Sequence, residues 1–158
     1  MIFLRVLRLA LLILFISFDA NAFCVSKAGA RLRRSPTGRA EISWRVPKYM
    51  PLQATGKRQS GWVEVRDVDN QVHWAQESDL TGQWSCAVVR TKNTRLRLGP
   101  GKQFQPSPLG QIDKYSTFLD LGGEDGWTQV ENDEGDKGWA NLDHLWKPTR
   151  KTRLSFDQ

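Results

Sequence analysis

The residues best suited to acid–base, nucleophilic or metal chemistry are few: two histidines, two cysteines and 17 carboxylates. A nucleophilic thiolate needs a base beside it, and His73 and His144 stand in sequence contexts unlike each other and remote from Cys24 and Cys86. Two histidines and two cysteines without short ligand spacing make no zinc set. The acidic run Asp133-Glu134-Gly135-Asp136 lacks the alternating ligands of a calcium loop and reads as a turn. Glycoside cleavage requires two carboxylates about 5 to 9.5 Å apart. Glu64 and Asp79 are candidates, but Gln129 and His144 replace them where their stretch recurs 65 residues later. The expectation is therefore a protein with no enzyme activity, cofactor or metal.

Aromatic side chains offer a different chemistry. Seven tryptophans are present, and an indole pairs a broad apolar face with a polar N–H, which suits stacking on sugar or peptide. Trp62, Trp74, Trp127 and Trp139 fall in repeated motifs and are expected first as core or barrel-edge residues, each with a face free to line a groove. Trp44, Trp84 and Trp146 are not repeated. With Tyr49 and Tyr115, which follow basic residues in loops, they are better candidates for exposed contacts. The candidate ligand-binding set is Trp44, Tyr49, Trp62, Trp74, Tyr115, Trp127, Trp139 and Trp146.

The elements that must position these residues occur twice. Ala30-Arg31-Leu32-Arg33-Arg34-Ser35-Pro36 recurs as Thr94-Arg95-Leu96-Arg97-Leu98-Gly99-Pro100, Gly61-Trp62-Val63-Glu64-Val65 as Gly126-Trp127-Thr128-Gln129-Val130, and Trp74-Ala75 with Leu80 as Trp139-Ala140 with Leu145. Three motifs in one order at offsets of 64 or 65 indicate two homologous modules. Short alternating apolar–polar stretches such as Ile42 to Val46 and Trp62 to Arg66 read as strands, and the turns Asp67 to Gln71 and Asn132 to Asp136 read as hairpin connections. About five strands in so short a module imply a small, partly closed barrel. The predicted fold is all-β, two small β-barrels in tandem, with modules at 23–82 and 83–146 and a basic tail at 147–158. A module that size buries only about 60% of its extended-chain surface, so pairing two modules offsets its marginal stability.

Residues 1–22 stand apart. Arg5 and Arg8 precede the apolar run Leu9 to Phe18, and Ala20-Asn21-Ala22 follows. This is the layout of a cleavable signal peptide, its apolar core too short to span a bilayer. The expected location is periplasmic or secreted, with no stable membrane insertion after cleavage. Phe23 before Cys24 is too large for a lipoprotein site, and in an oxidising compartment the two cysteines are expected to pair, Cys24 with Cys86.

The order Leu96-Arg97-Leu98-Gly99-Pro100-Gly101, Gly126-Trp127, Gly138-Trp139-Ala140 and Leu145 resembles the bacterial SH3 (SH3b) domain family. The first module departs at Arg34-Ser35-Pro36-Thr37 and carries His73 where the closing glycine should stand. The resemblance implies a binding module that attaches to a cell-wall polymer such as peptidoglycan, to its peptides, or to an envelope protein as a scaffold. Charge is unevenly shared: residues 24–80 carry a net +4, 86–146 a net −2, and the tail +3. That polarity would suit an anionic partner. Nucleic acid is not expected, since export and the lack of basic residues interleaved with aromatics on one strand argue against it. The composition, 39% hydrophobic and 25% charged, excludes a disordered chain and a multi-span membrane protein.

Overall fold

In the computed structural model, which describes residues 21–148, the alternating stretches form strands that bury one face. β2 (Ala30–Arg33) buries Ala30 and Leu32 and exposes Arg31. β5 (Trp62–Arg66) buries Val63 and Val65 and exposes Arg66. Fourteen strands result, seven per module. The first module comprises β1 (Ala22–Val25), β2, β3 (Ile42–Val46), β4 (Pro51–Gln59), β5, β6 (Val72–Gln76) and β7 (Leu80–Thr81). The second comprises β8 (Cys86–Val89), β9 (Thr94–Arg97), β10 (Pro106–Ile112), β11 (Thr117–Glu124), β12 (Trp127–Glu131), β13 (Lys137–Asn141) and β14 (Leu145–Trp146). The sheets share one order, β3-β2-β6-β5-β4-β1-β7 and β10-β9-β13-β12-β11-β8-β14. Each order is linear, so the barrels curl without closing. Among the described residues no helix is long and apolar enough to cross a membrane.

The repeated motifs have physical reasons. Ser60-Gly61 and Asp125-Gly126 take positive φ at both positions between paired strands, the two-residue hairpin geometry that matches strand twist. That is why Gly precedes Trp62 and Trp127, which open β5 and β12. The long strands β4 and β11 each shift register midway, between Ala54 and Arg58 and between Asp120 and Gly122. Gly56 and Gly122 sit at those bulges with φ of 100° and 90°, which bends one strand to serve two neighbours.

The modules are joined through their cores. Val88 and Trp146, both from the second module, pack on the first module's cluster around Leu32, Met50, Leu52 and Val65. A separate small cluster holds Cys24, Tyr49 and Cys86 with Trp84 and Leu119 beside them. Cys24 and Cys86 are bonded across a sequence separation of 62 residues. β1 begins at Ala22, which pairs with Gln53, while Ala54 N–H donates to Asn21 O. The expected cleavage after Ala22 therefore falls inside β1. Apart from Asn21 and Ala22, the expected signal peptide lies outside the described residues, as does the expected tail beyond Pro148.

Candidate functional site

The loops expected to carry exposed aromatics meet across the module junction instead. Tyr49 and Tyr115 hold equivalent places: each has positive φ, 67° and 72°, and donates its N–H to the end of its module's first strand, at Val25 O and Val89 O. Tyr49, expected as an exposed contact, is only 7% exposed and packs edge-on to Trp84 at 5.5 Å. Tyr115 packs edge-on to Trp44 at 5.6 Å, and its hydroxyl donates to Asp69 Oδ2 at 2.6 Å. Lys114 reaches the same carboxylate at 3.3 Å. Reciprocally, Lys48 of the first module pairs with Asp133 of the second at 2.5 Å, and Lys48 O accepts from Thr117 Oγ1. Each module thus sends the lysine before its tyrosine to the hairpin turn of the other, the reciprocity of a two-fold interface within one chain. The hydrogen bond from Tyr115, outweighing slight burial and joined by Lys114, holds the Asp69 carboxyl below its usual range, and the hydrogen bond to Asp133 raises Lys48.

The remaining candidates divide by position. Trp62 and Trp127 are buried, 8% and 9% exposed, while Trp74 and Trp139 are half-buried opposite Arg33 and Arg97 on the neighbouring strands. Trp146 lines a groove of about 320 Å³ with Gln53, Arg66 and Lys147 at the junction. Lys147 also pairs with Asp120, whose carboxylate accepts from Thr128. Burial pushes Asp120 up, but those bonds, the Lys147 charge and the Gly122 N–H prevail and leave it below its ordinary value.

A cleft of about 470 Å³ belongs to the first module alone. It is built from the β1–β2 turn and β2, the start of β5, and the end of β6 with the 3-10 turn Glu77–Asp79 that follows. Lys27, Arg31 and Arg33 supply cations, Trp62 and Gln76 supply wall, and Asp79 supplies one carboxylate. Arg33 is held by donating to Ala40 O. Asp79 is 4% exposed, and Ser26 fixes its backbone by donating from both N–H and Oγ to Asp79 O. Its Oδ1 is buried and receives no aligned hydrogen bond. Lys27 Nζ stands 2.6 Å from that oxygen, an ion pair made by a side chain 61% exposed. Sequence reasoning weighed Asp79 only as half of a catalytic pair. The cue that could have found it was its replacement by His144. The second module makes the same backbone bond there, Arg90 N–H to His144 O, so the fold requires no acid at this place.

His73 and its partners were also missed. His73 is 7% exposed; its Nδ1 lies 2.7 Å from Ser43 Oγ and its Nε2 2.9 Å from Asp67 Oδ2. Hydrolytic triads set the hydroxyl on Nε2 and the carboxylate on Nδ1, the reverse of this order. What the trio does is tie β3, β6 and the hairpin turn together, since Asp67 Oδ1 also accepts from the N–H groups of Asp69 and Gln71. In the second module Asn132 makes the equivalent turn bonds to Glu134 and Asp136. Gly138 stands where the first module has His73, and a Cβ there would lie 3.0 Å from Leu96 Cβ.

Comparison with known proteins identifies part of this architecture. Residues 26–82 match the family model of the bacterial SH3 domain. No curated protein matches the chain. Among solved structures it is similar to NlpC2 from Trichomonas vaginalis, at 11% identity and a TM-score of 0.34, covering 80% of this chain and 48% of that one. It is likewise similar to NlpC1 from the same organism, at 10% identity and a TM-score of 0.34, covering 87% and 48%. The chain spans about half the length of these structures.

Proposed function

Since residues 26–82 belong to the bacterial SH3 domain family, we propose that the chain is a non-catalytic, exported envelope-binding protein of two SH3b modules that recognises peptidoglycan or a cell-wall peptide. The observation that carries this reading is the cleft in the matched module, open to solvent and lined by three cations, one buried carboxylate and an indole. A volume of about 470 Å³ is in the range of small-ligand sites. A disulfide between the modules supports an extracytoplasmic setting. The test is sedimentation with purified peptidoglycan at low and high salt. The chain should pellet with the wall at low salt and be partly released as salt screens the exposed cations. A chain that stays in the supernatant at both salts refutes wall binding.

A second reading, a scaffold for an envelope protein, is favoured by one feature. Leu98, Phe104, Leu121 and Leu142 are large, apolar and exposed on the second module, against Val72 on the first. Exposed apolar side chains of that kind suit a protein partner more than a polymer. Crosslinking in envelope extract would separate the readings: a scaffold yields one defined protein adduct that Leu98→Ser and Phe104→Ser together abolish, with no wall sedimentation.

A further inference from the structure

The Asp79 carboxylate is expensive to maintain. A buried carboxylate oxygen without an aligned donor carries a desolvation penalty that a fold normally removes by supplying a partner. Here the partner is Lys27, whose mostly exposed stem leaves water free to compete. The second module reaches the same backbone geometry with His144, so the acid answers to something other than folding. Around it stand Arg31, exposed on β2, and Arg33, positioned through Ala40 O. One cleft thus presents a recessed acceptor that takes an ammonium and two guanidinium groups, that of Arg33 held in place, that take a carboxylate.

We propose that this cleft recognises an amino-carboxylate centre, a carbon bearing a free ammonium and a free carboxylate, at the end of a wall peptide. The ammonium sits on Asp79 where Lys27 Nζ sits in the free protein, and the carboxylate sits on Arg31 and Arg33. Lys27 marks the ammonium position and swings into solvent when a ligand arrives, and the incoming ammonium takes over its place at the buried oxygen. The inference rests on the wall-binding reading and adds the group that is read.

The test is titration of the whole folded protein with a stem tripeptide ending in diaminopimelate, whose distal carbon carries both groups. It is compared with the same peptide acetylated on that amine and with the peptide amidated on that carboxylate. The free peptide should bind, and either cap should weaken it tenfold or more. Asp79→Asn should reproduce the loss on acetylation and make binding indifferent to it; Arg31→Ala should do the same for amidation. Arg31 is exposed, so Arg31→Ala keeps the test decisive if Asp79→Asn fails to fold. Equal binding of free and acetylated peptide overturns the proposal in favour of a plain anion site, and no binding of any form overturns it outright. If neither substitution changes sedimentation with intact wall, the wall-binding reading survives and this inference fails. A wild type that binds the free tripeptide over both capped forms but never pellets with wall does the opposite: it supports the amino-carboxylate site and refutes binding to the intact polymer.

Discussion

Breaking the Cys24–Cys86 bond tests how the two modules share stability. The bond closes a loop with a sequence separation of 62 residues, and in the chain-entropy treatment such a crosslink disfavours the unfolded chain by about 4 kcal/mol at 25 °C. The folded state should not fall apart when it is cut, because Val88 and Trp146 still pack on the first module's core and the reciprocal pairs of Lys48 with Asp133 and Lys114 with Asp69 remain. Reduction should therefore lower stability without separating the modules. With a urea slope of about 2 kcal/mol/M, the midpoint should fall by about 2 M while a single transition persists, read by tryptophan fluorescence and circular dichroism together. Cys24→Ala with Cys86→Ala should give the same midpoint as reduction, since both sulfurs are buried and Ala adds no unpaired polar group. Two resolved transitions would refute the shared-core account, and a midpoint shift below about 0.3 M on reduction would refute the crosslink's calculated contribution.

Three further outcomes follow from single residues. Asp120 is held below its ordinary value of 3.8, so it contributes stability above that pH and loses it as pH falls through the lower folded value; Asp120→Asn should destabilise at neutral pH, with the difference from wild type shrinking below pH 3.8 in acid titration, and a difference constant from about pH 7 to about pH 2 contradicts the assignment. Gly123→Ala places a Cβ 1.9 Å from the Trp127 carbonyl oxygen and 2.5 Å from Thr128 Cα; because both are backbone atoms, thermal denaturation should show a loss of at least about 2 kcal/mol. His73→Ala strips a partner from Asp67, which is 5% exposed, and from Ser43, and should cost about 1 to 3 kcal/mol in a denaturant titration, with the effect largely gone in a Ser43→Ala, Asp67→Asn background.

Much of the architecture is legible because it depends on local geometry stated twice. The Gly-Trp pairs, the turn residues and the alternating strands each appear at matching positions, and a positive-φ turn or a period of two leaves its mark on residue types directly. Side-chain destinations leave no such mark. Tyr49 follows Lys48 in a loop, which argues for exposure, yet its φ of 67° and its bond to Val25 O turn the ring toward the disulfide cluster. Tyr115 has nearly the same backbone and ends 37% exposed, because its ring meets Trp44 and its hydroxyl meets Asp69. The Asp79 cleft draws on three stretches far apart in the chain. No spacing rule joins residues 27–33, 62 and 76–79. His73 was visible as a departure from glycine, but only packing reveals that Ser43 and Asp67 take up its two ring nitrogens.

The division of labour between junction and cleft has a consequence for binding. The junction uses Trp44, Lys48, Tyr49, Asp69, Lys114, Tyr115, Asp133 and Trp146, and none of these lines the Asp79 cleft. Locking the modules together therefore leaves the cleft open, and cutting the disulfide should weaken the fold without changing the cleft's intrinsic affinity. The second module cannot double that affinity for the same ligand, because His144 stands where the recessed acid would have to be. Gain from a second linked binding event would need a different group on the ligand to meet the second module. Any contact the second module makes with the same partner must therefore be of another chemistry than the ammonium-accepting acid of the first.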